Sequence, residues 1–372
     1  MRMDTAVQAR LDSLYHRLER LSAQFLGYPC NLAFDYTPLH RFLELCLNNV
    51  GDPFVASNFG INTHEIEREV IQFFARLTGA DGDVWGYVTH GGTEGNMYGL
   101  YLARELYREG IVYYSQDTHY SVTKILKLIN TPHIMIRSQD DGQIDYEDLR
   151  ETLRIKRDVP AIVLANIGTT MKGAVDDVGH IRGIFKALAL EDTYVHGDAA
   201  LAGMILPFVE PALPFGFDAG LDSLSISGHK FIGSPIPCGV VLAKKPHVDR
   251  IARAVEYVGT LDTTLSGSRN GLTPLFLWYA ITQRGVAGFK ATVTECFRVA
   301  DYAIQRLKAE SLHAWRHAHS ITVVLPRPSQ ALLERWQLAA QHDIAHLVIM
   351  PHVTCERIDR FMEDMKREAG RG

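Results

Sequence analysis

Lys230 stands in "SISGHKFIGSP", between "SLSI" and "FIGSPIPCGVVL", which both read as buried strand or turn. A lysine normally keeps its ammonium in water, so burying one demands a chemical reason. Asp198 ends the strand-like "YVHGD" of "YVHGDAALAG". A carboxylate buried at a strand's carboxyl end needs a cationic partner, unless it caps a helix begun by "AALAG". His119 follows "IVYYS" in "SQDTHYSVTK", as a solvated turn residue or as one aimed at a ligand. Thr169 and Thr170 follow "AIVLAN" in "NIGTTMKGAVDD", where hydroxyls bond a ligand oxygen or close a turn. In "VTHGGTEGNMYG", glycines and Thr93 precede a helical pattern, which suits an anion at a helix N-terminus. That stretch matches neither GxGxxG nor GxxxxGK[ST], and by itself it reads equally as a ligand-free turn.

One explanation covers the whole set. Pyridoxal 5'-phosphate requires a lysine for its Schiff base, an acid facing its pyridine nitrogen, a phosphate cradle and a group over its ring. All five features fall at predicted strand ends, so the elements that position them must form one sheet. The runs "EIEREVIQFFARL", "NMYGLYLARELYREG", "IVYYS", "SVTKILKLIN", "HIMIR", "AIVLAN", "IRGIFKALAL", "YVHGD", "SLSIS" and "CGVVLAKK" alternate helical and β-branched patterns. This predicts an α/β fold with a mostly parallel sheet. After "TTLSGSRNGLTP" come helical stretches, "FLWYAITQRG" and "ATVTECFRVADYAIQRLKAE", and strand-like "SITVVLP" and "HLVIM", which predict a smaller α+β domain. The expected division is an N-terminal arm over 1–50, a cofactor-binding large domain over 51–265, and a loop, connecting helices and small domain over 266–372.

The 372 residues are 47 % hydrophobic, enough for a large core, with 38 Lys and Arg against 43 Asp and Glu and a net charge of -5. The two signs are mixed along the chain, so no basic stripe points to nucleic acid or an acidic membrane. No run approaches the roughly 18 apolar residues that span a bilayer. Five scattered cysteines form no CxxC pair, which fits a reducing cytoplasm. Val7, Leu11, Leu14, Leu18, Leu21 and Phe25 recur at helical spacing among Asp4, Asp12 and Glu19, unlike a signal or transit peptide. They predict an amphipathic helix docking on the body or on a second subunit.

In order, "GGTEGN", "DTHYS", "NIGTT", "HGDAAL", "SGHKFIGSPIPCG" and "SGSRNG" resemble the group II decarboxylases dependent on pyridoxal phosphate. Within them the chain is most similar to the subfamily of histidine decarboxylases and plant serine decarboxylase, from Tyr28 to "HLVIMP". The resemblance implies an aspartate-aminotransferase-like fold of type I and a homodimer with its site at the subunit interface. Carried over, it makes Lys230 the Schiff-base lysine, Asp198 the pyridine-nitrogen partner and His119 the ring stacked on the cofactor. Thr170 would lie near the phenolic oxygen and Ala200 against the ring. Gly92, Thr93, Ser227 and His229 would surround the phosphate. The turn Ser266–Arg269 would be a mobile loop, with Arg269 serving the neighbouring site. Two residues depart from the pattern: His90 stands where an asparagine is expected, and Gly197 precedes Asp198 where relatives vary. Tyr28, Cys30 and Ser320 are the candidates for contact with the substrate side chain.

The implied activity is decarboxylation of an L-amino acid, L-histidine first and L-serine as the alternative. An aminotransferase would share Lys230 and Asp198 but add an arginine for the substrate carboxylate, with Arg316 and Arg327 as candidates. A non-catalytic cofactor-binding protein fits poorly with Lys230, Asp198 and His119 together. "HDIAH" spaces His342 and His346 like HExxH, and "HAWRHAH" adds His313, His317 and His319. Without a glutamate base, and with apolar "LVIM" following, these histidines predict no metal site.

Overall fold

The computed structural model describes residues 4–80, 82–251, 253–255 and 260–369. It begins with helix α1 (Thr5–Ser22), then α2 (His64–Leu77) leading into strand β1 (Val84–Thr89). Alternation follows through α3 (Gly92–Leu106), β2 (Ile111–Ser115), α4 (Ser121–Leu128), β3 (His133–Ile136), α5 (Tyr146–Ile155) and β4 (Ala161–Asn166). It continues through α6 (Val178–Ala187), β5 (Thr193–Asp198), β6 (Ser223–Ser227), β7 (Gly239–Lys244), α7 (Lys245–Asp249) and the hairpin β8 (Arg253–Val255) with β9 (Thr260–Asp262). The long helix α8 (Leu272–Ala309) leads to β10 (Thr322–Pro326), α9 (Gln330–Trp336), β11 (Ala339–Gln341), β12 (Ile344–Val348) and α10 (Cys355–Ala369).

Seven strands form one sheet in the order β1-β7-β6-β5-β4-β2-β3. Only β7 runs antiparallel to its neighbours β1 and β6. The parallel strands are covered on both faces, so "AIVLAN" is buried at every position. Alternate side chains enter opposite core layers: Ile162, Leu164 and Tyr194 pack toward α3 and α4, while Val163, Ala165 and Val195 join the larger core with α6 and α8. A three-stranded antiparallel sheet, β10-β12-β11, shares that larger core through Val323, Leu325, Ala345 and Leu347. The α/β class with a smaller α+β part is therefore as the patterns predict.

Several local details differ from the sequence patterns. Helix α3 starts at Gly92, ahead of the "NMYGLY" pattern, because its first turn is built of glycine and polar residues with no apolar period. The two helical stretches after Leu272 form one helical run broken at Gly285, whose φ of 59° only glycine adopts readily. Helix α5 was not anticipated, although Asp145 caps it by accepting from the N–H groups of Glu147 and Asp148. No residue of α1 is buried, so the body of this chain leaves its apolar side uncovered.

Candidate active site

The carboxyl ends of β4, β5 and β6 meet the N-terminus of α3 at one side of the sheet, where open α/β folds bind ligands. Register sets Asn166 beside Asp198, and Asp198 beside Ser225. A cleft of about 160 Å³ opens there. Gly92, Thr93, Ser227, His229, Thr170 and Ala200 line it together with His119, Asp198 and Lys230. Every residue assigned from sequence to the cofactor thus reaches one cavity.

Asp198 is buried, and its Oδ2 accepts from Asn96 Nδ2 at 2.7 Å. Its Oδ1 accepts from the Ala200 N–H at 3.2 Å, which closes a turn; a short 3-10 segment capped by Leu201 follows, so Asp198 caps no α-helix. Lys230 is half-buried yet closely surrounded, and burial lowers its pKa against the opposing pull of the Asp198 carboxylate. Burial likewise lowers the pKa of His119. Its Nδ1 takes a hydrogen bond from the Ser121 N–H at 3.3 Å and lies 2.8 Å from Ser121 Oγ, which puts the ring proton on Nε2.

Glycines leave open space at the start of α3. Gly91 holds φ 153°, and a Cβ on Gly92 would meet Ser227 Oγ at 2.7 Å. The first N–H groups of α3 lack helical partners and stand at the positive end of its dipole. A poised amine, a buried carboxylate and an anion cradle that a side chain would fill together fit pyridoxal phosphate.

The other assignments fare differently. "GYPCN" is stitched to the lysine turn: the Asn31 N–H donates to the Lys230 carbonyl at 3.1 Å, and Asn31 Nδ2 to that of Phe231 at 3.0 Å. Cys30 therefore sits near Lys230; burial pushes its thiol up while the lysine charge draws it down. Tyr28 is exposed and does not border the cleft. Ser320 is also outside it, buried against Gly173 with its Oγ accepting from the Thr322 N–H. Arg269 is not part of a mobile loop: it is 3 % exposed, paired with Glu67 and the Gly51 carbonyl, and stacked over Tyr87. His90 turns outward to Glu94 at 2.7 Å.

No arginine lines the cleft among the described residues. Arg316 is committed to Asp301 and to the carbonyls of His317 and Ala318, and Arg327 to the His342 carbonyl. "HDIAH" runs through the turn from β11 into β12, so its histidines share no helix face; His346 instead faces the carbonyls of Met171 and Gly27. Sequence reasoning missed Asn166 and Ser121 as lining residues and left Asn96 at the edge of a turn. Their position after a strand or in a first helical turn was the available signal.

Fold and site together define a pyridoxal-phosphate enzyme of fold type I. Residues 100–324 match the family model described as the pyridoxal-dependent decarboxylase conserved domain. The chain is 48 % identical to a histidine decarboxylase of Mesorhizobium japonicum over 357 residues, 96 % of each chain. It is 44 % identical to one of Klebsiella aerogenes over 369 residues, 98 % of each. Among solved structures it is similar to L-methionine decarboxylase from Streptomyces sp. 590 complexed with L-methionine methyl ester, at TM-score 0.91 and 25 % identity, covering 98 % of this chain and 95 % of that one. A glutamate decarboxylase of Lactobacillus brevis shares the fold at TM-score 0.82 and 16 % identity, covering 100 % of this chain and 93 % of that one. The chain belongs to the pyridoxal-dependent decarboxylase family: it is a carboxy-lyase whose cofactor is pyridoxal phosphate and whose substrate is an amino acid.

Proposed function

We propose that this enzyme converts L-histidine to histamine and carbon dioxide. The observation that carries the reading is the meeting of Lys230, Asp198 and His119 in one cleft, in a chain 43–48 % identical over nearly its full length to proteins named histidine decarboxylase. When bound, pyridoxal phosphate supplies an electron sink for the pair left behind as carbon dioxide departs. Lys230 would hold the cofactor through its amine, and the first turn of α3, with Ser227 and His229, would hold its phosphate. Asp198 would hold a proton on the ring nitrogen, which would strengthen the ring as a sink more in the transition state than in the ground state. His119 would cover the ring, with Thr170 near its oxygen and Ala200 against its face. The His119 Nε2–H or a loop group would donate the proton to the α-carbon, with the Lys230 amine a further group able to move protons there.

Cys30 is the candidate for substrate contact nearest Lys230, although it lines the cleft no more than Tyr28 or Ser320 does, and the exposed Tyr28 would serve a site in a neighbouring subunit. The enzyme would act as a homodimer in the cytoplasm: its five cysteines are unpaired, and the apolar side of α1 lies open. The chain would divide into an N-terminal arm over 1–50, a cofactor-binding large domain over 51–265, and a loop, connecting helices and small domain over 266–372.

The test is kcat/KM across L-histidine, L-serine, L-phenylalanine and L-tyrosine with product analysis. Histamine is expected to dominate, since a pocket built around a polar group rejects analogues lacking it by orders of magnitude. Ethanolamine as the main product would transfer the assignment to serine, and a keto acid would overturn decarboxylation itself.

A further inference from the structure

Beyond the cleft wall, Asp198 is backed by a buried polar chain. His196 is wholly buried two residues before it on β5, and alternation sends both side chains to the α3 face of the sheet. Asn96 of α3, 2 % exposed, bridges them: its Nδ2 lies 2.7 Å from Asp198 Oδ2 and its Oδ1 lies 3.1 Å from His196 Nε2. On the far side, His196 Nδ1 lies 2.7 Å from Ser223 Oγ, its register partner on β6. We propose that Ser223, His196 and Asn96 form a relay that aims the Asp198 carboxylate at the cofactor, with His196 a positioning residue that locks the Asn96 amide in one orientation.

Chemistry fixes every direction in the relay. A carboxylate only accepts, so the NH₂ end of Asn96 faces Asp198 and its carbonyl end faces His196. His196 must then carry its proton on Nε2, which leaves Nδ1 to accept from the Ser223 hydroxyl. Burial pushes the imidazole down to about 4, so it stays neutral near pH 7. The relay therefore adds no charge of its own, and the negative charge of Asp198 is kept for the ring nitrogen. Were the amide to flip, its carbonyl would face the carboxylate and its NH₂ the imidazole N–H, two clashes at once. The fold makes room for the ring by omission: a Cβ on Gly99 would lie 2.2 Å from His196 Nδ1 and 2.9 Å from Ser223 Oγ.

The inference rests on Asp198 as the ring-nitrogen partner, so Asp198→Asn is measured in parallel. The experiment compares the holoenzyme with His196→Leu, His196→Gln, Asn96→Ala and the double variant His196→Leu/Asn96→Ala. It reads cofactor dissociation, the visible absorption of bound cofactor, and kcat separately from KM. His196→Leu is expected to weaken cofactor binding and lower kcat by about tenfold or more, with KM nearly unchanged and the absorption band displaced. His196→Gln, which can donate from the Nε2 position, should restore most of both. In the Asn96→Ala background the His196→Leu change should add less than about threefold, because the two residues act through one bond. Equal damage in Leu and Gln variants, or fully additive damage with Asn96→Ala, overturns the relay. Should His196→Leu not fold, ¹⁵N spectra of histidine-labelled wild-type holoenzyme, with His196→Gln for assignment, decide: a neutral Nε2–H tautomer supports the relay, and an imidazolium or Nδ1–H tautomer overturns it. A normal spectrum and near-normal kcat in Asp198→Asn would sink the role of Asp198, whereas a damaged Asp198→Asn beside a normal His196→Leu would sink the relay alone.

Discussion

Lys230 and Asp198 depend on each other for their chemistry. Without the carboxylate nearby, burial would depress the amine further; without the amine or the cofactor, the carboxylate would stand buried with no cation. Lys230→Ala should abolish steady turnover and the visible band of the bound cofactor, and full turnover by that variant would remove the lysine from its role. In Asp198→Asn the amide cannot hold a proton on the ring nitrogen. A loss of about 3 kcal/mol of transition-state stabilisation predicts a kcat about a hundredfold lower, with cofactor still bound. Stopped-flow and steady-state rates check it, and near-normal kcat would leave Asp198 a mere turn former. These two residues and His119 were legible in sequence because each follows a strand pattern directly. Asn96 and His196 were not, because their meaning lies in a bridge between α3 and β5 that joins residues 100 positions apart. Ser320 lies outside the cleft for the converse reason: nothing in "HSITVV" reveals that this residue, just before β10, packs against Gly173.

The elements carry the site through close approach. Along α3, Gly92, Gly95 and Gly99 face the sheet, and a Cβ on Gly95 would lie 2.1 Å from Ser225 Oγ. Gly95→Ala should therefore push α3 from β6, destabilise the fold by about 1–3 kcal/mol and loosen the cofactor, as melts and cofactor titration would show. An unchanged melt would mean that the helix has slack. On the opposite side of the sheet's register, Asp222 fastens four elements. Its carboxylate takes the Val195 N–H of β5, pairs with Arg182 of α6, and meets Lys244 of β7 at 2.8 Å and His247 of α7 at 3.3 Å. Burial alone would raise its pKa, but His247, Arg182 and Lys244 outweigh burial and hold the carboxyl well below the usual range. A carboxyl that ionises at lower pH when folded stabilises the fold above about pH 4 and loses that contribution as pH falls further. Asp222→Asn should thus cost about 3 kcal/mol near neutral pH, and its deficit should shrink as pH drops below about 4. Equal deficits at pH 3 and pH 7 in urea melts would contradict the ion-pair account. Parallel strands were legible here because burial on both faces makes them continuous apolar runs; α5 was not, because "YEDLRETLRI" buries only Leu149 and Leu153.

At the scale of the whole molecule, the uncovered surface is concentrated at one end of the sequence. Most exposed large apolar side chains among the described residues lie between Val7 and Ile61, and α1 contributes Val7, Leu11, Leu14, Leu18 and Leu21 from one helical stripe. No helix among the described residues is long and apolar enough to cross a membrane. An exposed apolar stripe of this kind is the usual mark of an interaction surface, and the proposed homodimer would cover it with a second copy of the chain. Leu11, Leu14 and Leu18 are each about half exposed, at 47 %, 41 % and 52 %, so docking would remove roughly half a leucine side chain from water at each position. That is about 1 kcal/mol per residue, or about 3 kcal/mol for one arm and about 6 kcal/mol for the two arms of a symmetric pair. Replacing all three by aspartate should therefore weaken the dimer by about ten-thousandfold or more. Sedimentation velocity at micromolar protein is expected to show a dimer for the wild type and a monomer for Leu11→Asp/Leu14→Asp/Leu18→Asp. Because Tyr28 and the "GYPCN" segment directly follow this arm, the monomer should also lose turnover while its Lys230 still takes up cofactor. A wild-type monomer with full activity would refute the dimer and return the stripe to an unpaired surface; a variant dimer as tight as wild type would move the interface to another face.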